Sequence, residues 1–265
     1  MKVLIKLGGT LLDSAESRNR LVDEISSAVN HGLQAVVVHG GGKQMTRYLA
    51  ERGVESRFVN GLRVTSAEVL DAVLKVLAGS VNQELVSAFI ARGVSAVGLS
   101  GMDGLLTEAR QMNEELGWVG KPVRSDARLL HVLLAAAYLP VIACLAGDRQ
   151  GQFFNVNADQ MAVSVAAAFH AEKLWFLTDV DGVKGENNHV YSELNSNECR
   201  RLIEAGVASG GMRAKLESAI EALQTGTAEV VVAPGATAGV VGRLLTGDPI
   251  GTRLVTSAAA VNEHA

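Results

Sequence analysis

The chain has 265 residues, 48% hydrophobic and 20% charged, enough apolar material to bury a full core as one large α/β domain or two closely joined lobes. A net charge of -4 and a pI near 5.9 exclude general attraction to nucleic acid or an anionic membrane, so an anionic ligand must be held by particular basic groups. The two cysteines, Cys144 and Cys199, lack metal-like spacing and suit free thiols in a reducing cytosol.

The first stretch, KVLIKLGGT from Lys2 to Thr10, is an apolar run closed by two glycines, the pattern of a strand buried on both faces. Lys6 is its misfit. A lysine there either faces an anion, with Gly8 and Gly9 baring backbone N–H groups beside it, or guards a sheet edge. The segment carries no charged leader followed by a long apolar core, so no signal peptide is expected. A helix is predicted from Asp13 to Asn30, stopped by Gly32, and a second buried strand from Ala35 to Val38. That strand runs into His39-Gly40-Gly41-Gly42-Lys43 and a helix to Arg52. Strand, helix, strand, glycine loop, helix is the start of a parallel sheet, whose ligands collect at the carboxyl ends of the strands.

Asn60-Gly61 places Arg63 on or beside a hairpin. A long helical pattern covers Ser66 to Arg92, with Gly79 a weak point or a close-packing site. Val94 to Leu99 reads as a third strand, and Leu105 to Arg124 as an excursion of strands and turns without a fixed register, able to serve as a mobile flap. The apolar stretch Leu129 to Leu145 contains His131 and Pro140, so it reads as the end of a helix (Asp126 to Ala137) and a strand (Val141 to Leu145) rather than a membrane span.

The second half continues in the same style. QFFNVNADQ, Gln152 to Gln160, leads into a helix to about His170, then a buried strand, Leu174 to Thr178, ending in Asp179-Val180-Asp181-Gly182. Two helical stretches flank Ser209-Gly210-Gly211-Met212. A strand at Glu229 to Ala233, a short helix near Ala238 to Leu245 and the GTRLV strand close the fold, and the last ten residues are expected to fray. There is no internal repeat or low-complexity linker.

Several common motifs fail. The glycine triplet is not GxGxxG, since Met45 stands at the third required position, and not a Walker loop, since Val37 and Gln44 occupy required places. Asp179 and Asp181 do not open an EF-hand, whose last ligand would be Val190. What remains is two glycine-rich segments with isolated lysines, Lys6 and Lys215 of GGMRAK, and Asp159 at a helix start. Two lysines converging on one point neutralise a transferring phosphoryl group, and a shared carboxylate holds them together. Taken singly, each also fits a plainer role: a solvated helix face for Lys215, an N-terminal cap for Asp159, turns for the glycines.

The order of these pieces resembles the amino-acid kinase superfamily and, within it, the acetylglutamate kinase family. The matching motifs are KLGG at Lys6, VVHGGGK at Val37, NGLRVT at Asn60, GLSGMDG at Gly98, NVNADQ at Asn155, TDVDGV at Thr178 and GGMRAK at Gly210, spread over nearly the whole chain. The resemblance implies a three-layer αβα sandwich around a central, mostly parallel eight-stranded sheet. Residues 1–150 would form the lobe for the amino-acid substrate and residues 151–265 the lobe for ATP. It further implies transfer of the γ-phosphoryl of ATP to the side-chain carboxylate of N-acetylglutamate, a step of arginine biosynthesis.

By position, Lys6 and Lys215 would stabilise the transition state and Asp159 would orient them. Gly8, Gly9 and Gly41 would donate backbone N–H groups near the phosphates, and Gly41 and Gly42 would meet the substrate. Arg63 would grip the α-carboxylate and Asn155 would pair with the substrate. Thr178, Asp179, Val180, Asp181, Gly182, Val183 and Lys184, with Val207, Ala208 and Ser209, would contact the nucleotide. Magnesium would be held mainly by nucleotide and water, with no protein metal cage. The sequence starts at the first strand, without the extra amino-terminal helix of arginine-inhibited relatives, so a cytoplasmic homodimer without that feedback is the expectation.

Two departures stand out: Arg213-Ala214 where relatives often carry Ile-Pro, which adds a cation near the nucleotide, and Met102 in place of a commonly polar residue. Two rival readings are a kinase for carrier-protein-linked aminoadipate or glutamate and a catalytically silent nucleotide-binding subunit. The first needs a basic rim, and Arg52, Arg57 and Arg63 are interspersed with Glu51 and Glu55. The second leaves Lys6, Asp159 and Lys215 without a task.

Overall fold

The computed structural model describes residues 1–185 and 187–256, so most of the expected frayed terminus lies outside the described residues. The chain runs β1 (Lys2–Leu7), α1 (Gly9–Asp13), α2 (Ala15–Asn30), β2 (Gln34–His39), α3 (Gly42–Ala50), β3 (Phe58–Val59), β4 (Leu62–Arg63) and α4 (Ala67–Val73). A π-helical stretch, Leu74–Val81, joins α4 to α5 (Asn82–Ile90) without a break, and β5 (Ala96–Ser100), β6 (Thr107–Gln111), β7 (Val119–Ser125), α6 (Arg128–Ala135), β8 (Leu139–Ala143) and β9 (Leu145–Gly147) follow. The second half holds β10 (Phe153–Val156), α7 (Ala158–Phe169), β11 (Lys173–Thr178), β12 (Glu193–Asn195), α8 (Ser196–Glu204), α9 (Gly210–Gln224), β13 (Glu229–Pro234), α10 (Val240–Thr246) and β14 (Thr252–Val255).

Eight strands form one sheet in the order β12-β14-β13-β11-β1-β2-β8-β5, parallel except for the β13/β14 pair. β1 therefore lies at the centre. The chain moves from it to β2 on one side and later returns to β11 on the other, and such a reversal opens a crevice at the carboxyl ends of the strands.

Alternation along β1 decides where its lysine goes. Val3, Ile5 and Leu7 enter the core beneath α2, α3, the α4–α5 run and α10, whereas Leu4 enters the opposite core beneath α7, α8 and α9. Lys6 shares the parity of Leu4, so it faces the layer that contains α7 and α9. The long helical run Ala67–Ile90 is apolar enough to cross a bilayer by composition, but Val69, Val73, Leu77, Leu85 and Phe89 make it a core helix here.

Helix ends follow their local signals. Ser14 accepts from the Ser17 N–H at the start of α2, and Ser66 from the Val69 N–H at the start of α4. At the Asn60-Gly61 turn both residues have positive φ, 49° and 79°, which matches the twist of the β3/β4 hairpin. Two readings change. The excursion after Leu105 is no loose flap: β6 and β7 pair with each other and, with β9 and β10, close a small barrel. Pro140 lies inside β8 rather than before it. The Leu139 N–H donates to Ser95 O, while β2 pairs with β8 only from Val141 onward, so the missing N–H of Pro140 falls where no partner is required.

Candidate active site

The crevice collects groups from the ends of β1, β2, β8, β10 and β11 and from the starts of α3, α7 and α9. Asn157 caps α7, its side chain accepting from the N–H groups of Asp159 and Gln160 at 2.9 and 3.2 Å. Asp159 is thereby released from capping and projects its carboxylate into the crevice. Oδ1 lies 2.7 Å from Lys6 Nζ and Oδ2 lies 3.2 Å from Lys215 Nζ. The side chains of Lys6, Asp159 and Lys215 are only 8%, 7% and 17% exposed, so the three charges interact across little water. Burial opposes ionisation of Asp159, but the ammonium groups of Lys6 and Lys215 outweigh it and hold the carboxyl below the ordinary carboxylate range. Lys215 stands in the second turn of α9, one turn deeper than its glycine context implies.

The glycines beside it fall into two kinds. Gly8 does not offer a free donor: its N–H extends the sheet by one bond, to Leu177 O at 2.8 Å, and its place reflects the close approach of β1 to β11. Gly9 is different. A Cβ there would come within 3.0 Å of the Gly42 N and 3.4 Å of the Gly41 N, so only hydrogen leaves those two amides open. Gly41 caps α3, and a Cβ on it would strike Leu77 Cδ2 at 2.4 Å.

A cleft of ≈ 180 Å³ adjoins the triad, with Gly40 to Gly42, Arg63 and Asn155 on its polar side and Met45, Val73, Leu77, Val119 and Cys144 on its apolar side. Arg63 donates to Ser56 Oγ, to Gly42 O at 3.1 Å and to Thr46 Oγ1 at 2.8 Å, and stacks 4.6 Å from the Phe58 ring centre. These contacts fix its planar fork at the cleft. Burial pulls the Arg63 pKa down from the ordinary arginine value. Asn155 donates to Thr65 Oγ1 at 3.0 Å, and Thr65 in turn donates to Arg63 O at 2.8 Å, so one buried hydroxyl ties both residues together.

On the other side of β1, the Asp179 carboxylate accepts from Thr10 and Thr178 hydroxyls, each at 3.1 Å. Burial pushes its pKa up, yet these hydrogen bonds and nearby Lys215 leave it lowered overall. Val180 packs partly against the second core, and the exposed Asp181 and Lys184 pair at 3.5 Å. Val183 is tied into the fold. Its side chain is wholly buried, its N–H donates to Thr252 Oγ1 at 2.8 Å and its carbonyl accepts from the Tyr191 N–H at 2.9 Å, so it anchors this loop.

Gly182, at φ 150°, is pressed against Thr252, where a Cβ would meet Oγ1 at 2.7 Å. Val207, Ala208 and Ser209 lead into α9, with Ala208 buried and Ser209 exposed at the helix start. Arg213 pairs with Glu217 at 2.8 Å on an exposed face, so its charge is directed along α9. Met102 packs against Gly147, where a Cβ would meet its sulfur.

Phe58, Leu77, Val119 and Cys144 line the cleft without having been among the site residues expected from the sequence. Cys144 follows directly on the end of β8, and the strand-end rule reaches it, whereas Leu77 sits mid-helix with no local signal. Both cysteines are free and buried, and burial pushes the Cys144 thiol up to about 12. Among the described residues no three His, Cys, Asp or Glu side chains are grouped as metal ligands.

The fold has known counterparts. The chain belongs to the amino acid kinase family, which it matches over residues 1–234. Within that family it groups with the acetylglutamate kinases. It is 58% identical to the acetylglutamate kinase of Solibacter usitatus (strain Ellin6076) over 257 residues, 97% of this chain and 100% of the relative. Identity to the acetylglutamate kinase of Endomicrobium trichonymphae is 40% over 232 residues, 88% and 92% of the two chains. Among solved structures, N-acetylglutamate synthase from Neisseria gonorrhoeae, complexed with coenzyme A and N-acetyl-glutamate, superposes with a TM-score of 0.87 at 27% identity. That match covers 97% of this chain and 60% of the longer synthase.

Proposed function

We propose that this chain transfers the γ-phosphoryl of ATP to the side-chain carboxylate of N-acetyl-L-glutamate, giving N-acetyl-L-glutamyl 5-phosphate in arginine biosynthesis. The observation that carries the reading is the Lys6–Asp159–Lys215 triad at the edge of a cleft that also presents Arg63 and Asn155. Kinship with acetylglutamate kinases along the full chain supports the substrate. The acceptor carboxylate is already ionised at neutral pH, so the enzyme needs no general base. Asp159, held ionised by two ammonium groups, is suited to positioning and not to proton transfer.

A carboxylate oxygen attacks the γ-phosphorus while the bond to the β-phosphate oxygen breaks, and ADP departs with that electron pair. Lys6 and Lys215 stabilise charge on the moving group and on the leaving oxygen. The Gly41 and Gly42 amides, left open by Gly9, complete the cradle, and Arg63 and Asn155 hold the acyl-amino acid in line. The amino-terminal strands β1, β2, β5 and β8 carry the acceptor side, residues 1–150, and the loops after β11 and before α9 carry the nucleotide side, residues 151–265. Asp159 is already shared by Lys6 and Lys215 and is not free to serve as a metal ligand, so a Mg2+ ion would be held mainly by the nucleotide and water and would supply neutralisation of phosphate charge.

The protein is read as a cytoplasmic homodimer, without nucleic-acid or membrane partners. Its free thiols support that compartment, and the position of β5 as an edge strand, together with the exposed apolar side chains of Ile90 and Tyr138, supports self-association.

The direct test supplies ATP, Mg2+ and N-acetylglutamate and traps acyl phosphate with hydroxylamine. Hydroxamate formation is expected. Nucleotide binding without hydroxamate, or activity only on a carrier-linked acid, contradicts the reading. Arg63→Ala is expected to raise KM for the acyl-amino acid by roughly tenfold or more while leaving KM for ATP unchanged, as steady-state kinetics will show. Equal effects on both constants would misplace this side chain.

A further inference from the structure

His39 ends β2 with no exposed surface, and its bonds define its protonation. The Asn82 side-chain amide donates to Val141 O at 2.9 Å and lies 2.9 Å from His39 Nε2. An amide NH₂ only donates, so Nε2 is the acceptor and the ring proton sits on Nδ1. Nδ1 in turn lies 3.0 Å from Gly40 O and donates to it. Burial lowers the His39 pKa to about 4, against the weaker pull of that carbonyl, which keeps the ring neutral at physiological pH.

The consequence reaches the glycine loop through peptide geometry. The peptide between Gly40 and Gly41 is trans, so its C=O and N–H point in opposite directions. Holding the Gly40 carbonyl toward His39 therefore turns the Gly41 N–H away from it, into the space that Gly9 leaves open. The π-helical stretch explains how one helix serves this loop twice. Its i→i+5 bonding, with the Asn82 N–H on Leu77 O, sets Leu77 and Asn82 on the same side, one packed against Gly41 and the other on His39. Gly98 makes the room: a Cβ there would overlap Asn82 Oδ1 at 2.1 Å.

We propose that His39, locked in its Nδ1-protonated form by Asn82, is a positioning residue that aims the Gly41 N–H at the transferring phosphoryl group. The inference rests on the kinase reading above and assigns a task to two buried side chains which that reading leaves idle.

Substitutions at His39 separate aiming from space-filling. Asn carries an N–H at the place of Nδ1 and restores the Gly40 contact. Gln carries one at the place of Nε2 and fills more of the buried volume without reaching Gly40. In the hydroxylamine assay with ATP and N-acetylglutamate, His39→Gln and His39→Leu are expected to lose roughly tenfold to a hundredfold in kcat, whereas His39→Asn turns over at least about tenfold faster than His39→Gln. Folded His39→Gln matching or exceeding His39→Asn overturns the proposal. Nitrogen-15 spectra of wild-type imidazoles give a second test that needs no variant: the His39 proton is expected on Nδ1, and a proton on Nε2 overturns the proposal. If the wild type forms no acyl phosphate, the kinase reading fails, and the spectrum still decides the state of His39.

Discussion

Asp159→Asn is expected to lower the stability of the protein by about 3–5 kcal/mol at pH 7 and to abolish most turnover, because it leaves two buried ammonium groups without a counter-charge. Urea midpoints compare the variants. Combining Asp159→Leu with Lys6→Met and Lys215→Met removes every charge of the cluster, and that triple variant is expected to recover most of the lost stability while remaining inactive. Recovery without activity would show that the triad serves catalysis and not the fold. A triple variant as unstable as Asp159→Asn would instead make the triad a structural element. Acid has the same direction of effect as the single substitution. The folded-state pKa of Asp159 is depressed, so its contribution is present above the ordinary carboxylate pKa and is lost as pH falls through the folded value.

Lys215→Ala is expected to reduce kcat by roughly a hundredfold or more, the scale for loss of one preorganised charge contact to a transition state. Lys215 sits on α9 and Lys6 on β1, so removing Lys215 leaves the Lys6–Asp159 pair in place at 2.7 Å. The fold should therefore tolerate the change, and the loss should fall on kcat more than on either KM. A kcat near the wild-type value contradicts the role given to this side chain.

His39 supplies an acid-sensitive contribution separate from the triad. Its pKa drops from 6.5 to about 4 in the folded protein, so the unfolded chain binds more protons between those values. Stability therefore falls as pH decreases through this window, by up to about 3 kcal/mol. Denaturation midpoints at pH 7 and pH 4 should differ less for His39→Asn than for the wild type. An identical pH dependence in both would show that His39 is not a buried neutral imidazole.

Much of this was legible in the residues, for physical reasons. Lys6 announced itself because a charge in a strand buried on both faces needs a partner, and two-residue alternation then fixes the layer in which the partner must lie. Asn60-Gly61 specified its hairpin because two positive φ angles suit few other pairs. Asp159 was ambiguous by itself, and the ambiguity ended when Asn157 proved to be the cap.

What was not legible depended on distant pairing. The register of β6 and β7 is set by β9 and β10, some of them across a long stretch of chain. Gly8 looked like a free donor because nothing local says that Leu177 O accepts from it. Val183 sat in a loop rich in polar residues, and its anchoring depends on Thr252, far along the chain, as well as on nearby Tyr191. The π-helical turn left only the mark of Gly79, which signalled a weak point but not the extra residue in the turn.

A crystal structure with N-acetylglutamate, Mg2+ and a non-hydrolysable ATP analogue would show whether the two lysines meet at the transferring group. Both the Lys6 and Lys215 Nζ atoms are expected within hydrogen-bonding distance of the terminal phosphate region, with Asp159 still between them. Lysine side chains turned to solvent in that complex, with both ligands bound elsewhere on the sheet, would contradict it.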